Sequence, residues 1–383
     1  MPNIRLLLLL PAAILAGCTS VTQAPEFVAR VERIERTRLE HSVRALDEIG
    51  PRPIEDSAAT LRTTTWIREQ LEEWGYVVTE EEVTRSAQTG RFTAQVRRAD
   101  AGPGADSTEI VLPASFASYG PRVRSAASRR LRAEGWDVEG YSLTGGGAPT
   151  DPHVAPNIFA EVRGTEDPER VIEVSAHYDT VPGSSGASDN SSGVAVVLEL
   201  ARVLADATPR KTIRFCFFAA EEAGLLGGRV HVENITRADA PVVEALINLD
   251  SIGHATDAPD SQDAPLRIPL IAWMPTTGDF ITVIGTNASG WLGNVFEAAA
   301  DAYVPELSYY SMNRLGGYFA DARRSDHAPY WDADIPAIFL TDTGEFRSDT
   351  YHTHDDTAET IDYEFLHRVA RATGAALLEL TVR

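Results

Sequence analysis

The stretch 171–222 reads VIEVSAHYDTVPGSSGASDNSSGVAVVLELARVLADATPRKTIRFCFFAAEE. His177, Asp179, Asp189, Glu221 and Glu222 stand in it at or just past the ends of apolar runs. Imidazole and carboxylate are the nitrogen and oxygen ligands that zinc takes. Several negative charges buried together are costly unless something positive sits among them, and a divalent metal is the simplest such charge. Asp250 ends a further apolar run, ALINLD, and His352 lies in a polar loop. The candidate ligands are therefore His177, Asp189, Glu222, Asp250 and His352, and two neighbouring metals can share a bridging carboxylate.

Spacing along the chain does not itself bring these five together; the elements around them must. The runs 171–176 and 213–220 have the length and composition of buried parallel strands. Between them Val194, Val197, Leu198, Ala201 and Leu204 recur at helical spacing, which makes a strand–helix–strand unit. Parallel strands align their carboxyl ends, and open α/β sheets bind ligands beyond that edge. Upstream, 28–49 reads as a helix broken by Gly50-Pro51-Arg52-Pro53, and 58–74 as a second that stops at Gly75, with a strand starting at Tyr76-Val77-Val78. Segment 85–153 holds strands at 92–96 and 110–112, a helix at 122–133 and a Gly-rich loop at 145–147. Further strands are expected at 157–162, 245–250, 279–286 and 335–340, and helices at 291–302 and 362–380. Loops 254–268, 303–322 and 349–357 separate them.

An internal repeat is suggested. LEEWGYVV at 71–78 parallels LRAEGWDV at 131–138, FTAQVRR parallels IFAEVRG, and EIVLPASFAS parallels RVIEVSAHYD. In the last pair Phe116 and Ser118 stand where His177 and Asp179 stand, so the first copy would be a duplicated β-α-β piece without ligands. A generic helix-to-strand turn would look the same.

The chain has 383 residues, of which 43% are hydrophobic, enough for a full core. A formal net charge of −22 repels phosphate backbones and argues against nucleic acid as a partner. Arg5 precedes an apolar run at 6–16 that is too short to span a bilayer comfortably but fits an export signal. The run ends in Leu15-Ala16-Gly17-Cys18, which resembles a bacterial lipobox. That resemblance implies a signal peptide over 1–17, a lipid on Cys18 as membrane anchor and a polar tether over 18–27. Thr19 resembles the sorting position of outer-membrane lipoproteins facing the periplasm. Cys216, within IRFCFF, is then without a partner and reads as a small buried hydrophobe.

Six motifs in order resemble those of metallopeptidase family 28, the co-catalytic zinc aminopeptidases: HYD at 177–179, ASDNSSG at 187–193, FFAAEEAGLLGG at 217–228, NLDSIGH at 248–254, RSDHAPYW at 324–331 and YHTHDDT at 351–357. The resemblance implies a three-layer α/β/α fold over 28–383, with a central mixed, largely parallel sheet and 85–153 as an insertion or duplicated segment. It implies two zinc ions, the first held by His177 and Asp250, the second by Glu222 and His352, with Asp189 bridging and a cis peptide bond after it. Asp179 would orient His177, Glu221 would be the general base, and Tyr351 would stabilise the developing oxyanion. Adjacent residues of an extended chain point opposite ways, so one glutamate can hold metal while its neighbour takes a proton from water attacking a peptide carbonyl.

Two features depart from the family pattern. Ser251 replaces a residue that is often hydrophobic, and His354 and Asp355 crowd the last motif, where alignment selects His352 as ligand. Asp326 and His327 read as a supporting pair, His41, His153, His231 and His367 as surface or structural, and Trp273 and Trp291 as core or pocket wall. The expected activity is removal of N-terminal residues from peptides. A glutaminyl-peptide cyclotransferase-like enzyme, a carboxypeptidase and a non-catalytic metal-binding lipoprotein are the alternatives. Side-chain preference and oligomeric state are not legible in the sequence.

Overall fold

The computed structural model describes residues 21–85, 91–100, 107–112, 131–132, 135–144, 152–263 and 275–382. Cys18 and its signal segment, nearly all of the helix at 122–133, Phe116, Ser118, the loop at 145–147 and Trp273 lie outside the described residues.

The chain enters through α1 (Pro25–Val31), α2 (Arg36–Ile49) and α3 (Ser57–Glu73). The single helix expected over 28–49 is thus two. Between them the chain turns so that Ile34 is buried, and the Glu35 N–H donates to Glu199 Oε1 at 2.7 Å. Gly50 ends α2 at φ +82°, and Asp56 caps α3 by accepting from the Ala58 and Ala59 N–H groups. Strand β1 (Thr79–Arg85) begins just after the valines expected to start it, and Val77 is solvent-exposed.

Next come β2 (Arg91–Arg98), β3 (Thr108–Leu112), β4 (Trp136–Thr144), β5 (His153–Val162) and β6 (Asp167–His177). They are followed by α4 (Gly193–Leu204), β7 (Lys211–Phe218), α5 (Leu226–Ile235), β8 (Val242–Leu249), β9 (Ile281–Gly285) and α6 (Gly290–Tyr303). The chain closes with β10 (Tyr309–Met312), α7 (His327–Asp332), β11 (Ala337–Thr341) and α8 (Tyr363–Thr381). The main sheet has eight strands in the order β1-β5-β7-β6-β8-β11-β9-β10. β7, β6, β8 and β11 run parallel, as does the pair β9-β10, while β1, β5 and the β11-β9 contact are antiparallel.

Alternation along the central strands divides the core between the two faces. Ile172, Val174 and Ala176 of β6 join Ile213, Phe215 and Phe217 of β7 in the larger cluster, with α2, α4, α6 and α8. Val171, Cys216 and Phe218 point the other way, into a smaller cluster with Val232 of α5 and Tyr330 of α7. Helix α4 is apolar on nearly every side and buried on nearly every side, sandwiched between the sheet and the outer helices. Cys216 is buried, as its sequence context requires. Trp291 corrects an expectation: at 43% exposed it belongs to neither core nor pocket wall.

Strands β2, β3 and β4 form a separate sheet, ordered β3-β2-β4, whose neighbours are antiparallel. The suggested repeat sets β4 against β1, β2 against β5 and β3 against β6. Under that pairing the small sheet follows the main-sheet order β1-β5-β6 with β7 left out, and with the same relative directions. No adjacent parallel strands of a β-α-β unit occur among its described residues.

Candidate metal centre

The carboxyl ends of β6 and β8 and the loop after β7 meet at one edge, and the sequence-expected ligands meet there too. His177 is the last residue of β6, Asp250 follows β8, and Glu221 and Glu222 follow β7. Asp189 sits in the wound turn Ala187–Ser192 that leads into α4, and His352 comes from the loop before α8. All are buried.

The two oxygens of Asp189 divide the set. Oδ1 lies 3.2 Å from His177 Nε2, which is itself 3.5 Å from Asp250 Oδ1. Oδ2 lies 2.9 Å from His352 Nε2, which is 3.0 Å from Glu222 Oε1. The result is two buried ligand triads sharing one carboxylate, His177–Asp189–Asp250 and Asp189–Glu222–His352. His177 Nε2, His352 Nε2 and Glu222 Oε1 make no hydrogen bond, which is rare for buried polar atoms and fits donors aimed at a cation. Imidazole nitrogens and carboxylate oxygens are a zinc donor set, and each triad holds three, so the residues fit zinc at both positions.

The charge balance says the same. Burial disfavours imidazolium at His352, but Glu222 and Asp189 outweigh it and lift its pKa to about 10. His177 is likewise raised against burial by Asp250, Asp179 and Asp189. Burial works to raise the Asp189 pKa, yet the two histidines hold it well below the carboxylate range. Asp326, buried beside this cluster, rises to about 7 through burial and then through repulsion from Asp179 and Asp250, with His177 opposing.

Supporting groups fix the ligands. The His177 Nδ1–H donates to the Asp179 carbonyl at 3.1 Å, which leaves Nε2 for metal. The Asp179 carboxylate, with Oδ1 3.6 Å from His177 Nδ1, lies beside the ring and has a second task as well. Its oxygens accept the Glu221 and Glu222 N–H groups at 3.0 and 3.2 Å, so Asp179 sets the glutamate pair as well as the ring. The glutamates lie past the strand end, after Ala220 at φ +56°. Ser251 and His352 also have φ of +53° and +59°, so left-handed backbone lies at the ligand His352, next to Asp250 and two residues before Glu222. The unusual Ser251 places its hydroxyl 3.3 Å from Asp250 Oδ1 as donor. The peptide bond after Asp189 is cis.

Four further residues were not picked out from sequence. The Asn190 amide donates to the Leu249 carbonyl, and its oxygen accepts from the Gly193 and Ser251 N–H groups, tying the bridging turn to the Asp250 strand. Asp356 accepts the Ser188 and Asp189 N–H groups at 2.8 and 3.2 Å. Arg52 is wholly buried and donates to the Leu46, Gly50, Tyr178 and Ser185 carbonyls and to Ser191 Oγ. Arg324 donates to the Tyr351 hydroxyl at 3.3 Å, while the Tyr351 ring stacks on His352 with centroids 3.9 Å apart. Asn190 and Asp356 lie inside quoted motifs, but their partners are backbone groups that no pattern displays.

The remaining histidines sort cleanly. His354 is 82% exposed at its side chain and pairs with Asp355, away from the centre. His327 stacks on Phe339 and its Nε2 bonds the Ala322 carbonyl. Glu173, Cys216 and His231 form a third compact group, four residues back along β6 from His177 and on the same face of the sheet. Its carboxylate already receives Arg214 and Tyr330 at 2.6 Å each and His231 at 3.1 Å, so it is a closed ion network.

The model of peptidase family M28 matches residues 157–377, which is more than half of the chain. The chain belongs to peptidase family M28. It is 35% identical over 231 residues to the uncharacterized protein YfbL of Escherichia coli, covering 56% of this chain and 67% of that protein. It is 31% identical over 212 residues to the aminopeptidase YwaD of Bacillus subtilis, covering 55% of this chain and 41% of the relative. Several curated relatives are spanned for only about half their length. The fold matches the zinc aminopeptidase BSAP of Bacillus subtilis with a TM-score of 0.63 at 20% identity, over 91% of this chain and 95% of that one.

Proposed function

We propose that this M28 chain is a zinc-dependent aminopeptidase that removes N-terminal residues from peptides. The observation that carries the reading is the division of Asp189, one oxygen toward His177 and Asp250 and the other toward His352 and Glu222. His177 and Asp250 would hold one zinc and Glu222 and His352 a second, with Asp189 common to both ligand sets. Zinc held there would supply a Lewis acid for the peptide carbonyl and would acidify water. Glu221, held by the Asp179 contact at its N–H, takes the proton of the attacking water and returns it to the leaving amine. The Tyr351 hydroxyl, steadied by Arg324, donates to the developing oxyanion. Similarity to relatives described as an aminopeptidase and a probable zinc metalloprotease supports the reading.

The test is a purified chain loaded with zinc. Metal analysis should give two equivalents, aminoacyl anilides should be cleaved, and chelation should stop the reaction. Conversion of glutaminyl peptides to pyroglutamate without anilide cleavage would favour a cyclotransferase. Cleavage only from the carboxyl end would favour a carboxypeptidase, and zinc binding with no turnover of any kind a binding lipoprotein.

The same reading includes export and a lipid on Cys18, with the protein facing the periplasm on an outer membrane. What supports it is the Leu15-Ala16-Gly17-Cys18 sequence after a short apolar run. Cys18→Ser should abolish incorporation of labelled fatty acid in a bacterial host; retained labelling would sink the anchor.

A further inference from the structure

The two ends of α6 carry different features, and one of them is where the chain enters the fold. The Ala24 N–H donates to the Tyr303 hydroxyl at 2.9 Å and the Gln23 amide to the Ala302 carbonyl, which ties the entering chain to the last turn of α6. Cys18 lies six residues before Ala24, a span of at most about 20 Å at full extension. A lipid on Cys18 therefore keeps α6 close to the membrane. Helix α6 has 14 residues and is itself about 20 Å long, so it can lie along that surface with its first turn there too.

At that first turn Arg314 lies across Gly290, where a Cβ would meet its guanidinium carbon at 2.8 Å, and its φ of +82° is disfavoured for a residue with a side chain. Arg314 Nη2 meets the Asn294 amide oxygen at 3.2 Å in the orientation that satisfies that amide, and no carboxylate pairs with Arg314 among the described residues. Behind it opens a cavity of about 320 Å³, lined also by Tyr318, Arg323, Trp331 and Asp334. Arg323 is already paired with Asp332. Around the opening Trp291, Leu315 and Tyr318 are 43%, 45% and 74% exposed. The acids further along α6, Glu297 and Asp301, accept the Ser311 and Tyr309 hydroxyls of β10.

Exposed tryptophan, tyrosine and leucine around an arginine suit a lipid–water boundary, where aromatic rings rest at headgroup level and a guanidinium pairs with phosphate. A chain of net charge −22 is repelled by an anionic surface, so a cation without a carboxylate partner decides which side turns toward it. We propose that the Arg314 face, with Trp291, Leu315 and Tyr318 around the cavity mouth, docks on the phospholipid surface that holds the Cys18 lipid, a headgroup phosphate meeting Arg314. The inference rests on the lipid-anchor reading and adds to it an orientation: the β10 edge of the main sheet faces the lipid and the β1 edge faces away.

The experiment places the lipidated full chain in vesicles of phosphatidylcholine with and without phosphatidylglycerol. Single nitroxide labels are introduced by Leu315→Cys, by Tyr318→Cys and, just before β1, by Val77→Cys at a fully accessible site; Cys216 is buried and Cys18 carries the lipid. Collisions with oxygen, which concentrates in lipid, and with a water-soluble nickel chelate report each label's depth. In phosphatidylglycerol vesicles the oxygen-to-nickel ratio at positions 315 and 318 should exceed that at 77 by roughly fivefold or more, the scale of one basic residue drawn to an anionic surface. Arg314→Gln should remove at least half of that excess. Equal ratios at all three positions overturn the proposal. So does a loss of label motion at 315 and 318 that grows with protein density, which marks a second copy of the chain as the occupant. Should the chain carry no lipid, the anchor reading fails instead. The unlipidated chain is then sedimented with phosphatidylglycerol vesicles, where Arg314→Gln should weaken partitioning roughly fivefold. No partitioning of the wild type, or none lost in the variant, overturns the surface itself.

Discussion

Asp356→Asn isolates the contribution of a clamp from that of a ligand. The Asp356 carboxylate accepts the Ser188 N–H at 2.8 Å and the Asp189 N–H at 3.2 Å, and it lies four residues beyond His352. Its main-chain carbonyl also accepts from Ala187 N–H and Ser185 Oγ. One residue therefore binds the loop carrying one ligand to the turn carrying the shared ligand. Asparagine keeps the shape but has one acceptor oxygen, so one backbone N–H is left facing an amide NH2. A hydrogen bond to a charged group contributes ~1.5–3 kcal/mol, and leaving a buried donor unsatisfied costs ~1–3 kcal/mol. Part of that loss is relieved by relaxation of the turn, which leaves about 3 kcal/mol acting on Asp189 placement. At ~1.4 kcal/mol per tenfold, zinc affinity should drop roughly a hundredfold, at the upper end of the ~10–100-fold found when groups behind metal ligands are changed. Competition titration against a chromophoric chelator measures this directly, without reference to turnover. If Asp356→Asn binds two zincs within about threefold of wild type, the clamp does not position Asp189.

Other expectations follow from the same geometry. Glu221→Gln should keep two zinc equivalents while kcat falls by roughly a thousandfold, the scale of a lost general base; a variant near wild-type rate would show that another group moves the proton. Gly186 has φ +62°, and a Cβ there would lie 2.2 Å from the Asp189 carbonyl oxygen, so Gly186→Ala should lower Tm by several degrees and strip zinc, as read by calorimetry and metal analysis. His231 is disfavoured as a cation by burial, but Glu173 and Glu81 raise its pKa to about 9 from an ordinary 6.5. Its pairing therefore stabilises the fold fully below pH 6.5 and is lost as pH rises through about 9, with about 3 kcal/mol at stake. The Tm gap between wild type and His231→Gln should accordingly shrink from pH 6 to pH 10, and a gap independent of pH would deny the network this role.

Much of the centre was legible because ligand chemistry and strand ends coincide. His177, Glu222 and Asp250 each close or follow a run of buried apolar residues, and a parallel sheet leaves such residues one common edge. The clamps were not legible, since each of Asp356, Asn190 and Arg52 ties in carbonyls or N–H groups far away in the chain. Arg52 in particular sits in Gly50-Pro51-Arg52-Pro53, which reads as a helix breaker and nothing more. Strand β4 carries Gly140 and charged residues in WDVEGYSLT, and β10 is four residues of which three are half-buried and Ser311 is exposed, so neither shows the apolar run that marks a central strand. The break between α1 and α2 comes from burial of Ile34 and the Glu35–Glu199 contact, tertiary effects that local periodicity does not contain.

Arg85 and His153 are cross-strand partners at the ends of β1 and β5. Between them the described strands β2, β3 and β4 stand in the separate sheet, and β5 returns to the main sheet beside β1. A two-residue turn is long enough to join such neighbours, so a shortened chain that joins β1 to β5 directly should keep the register of the main sheet and its metal-binding edge.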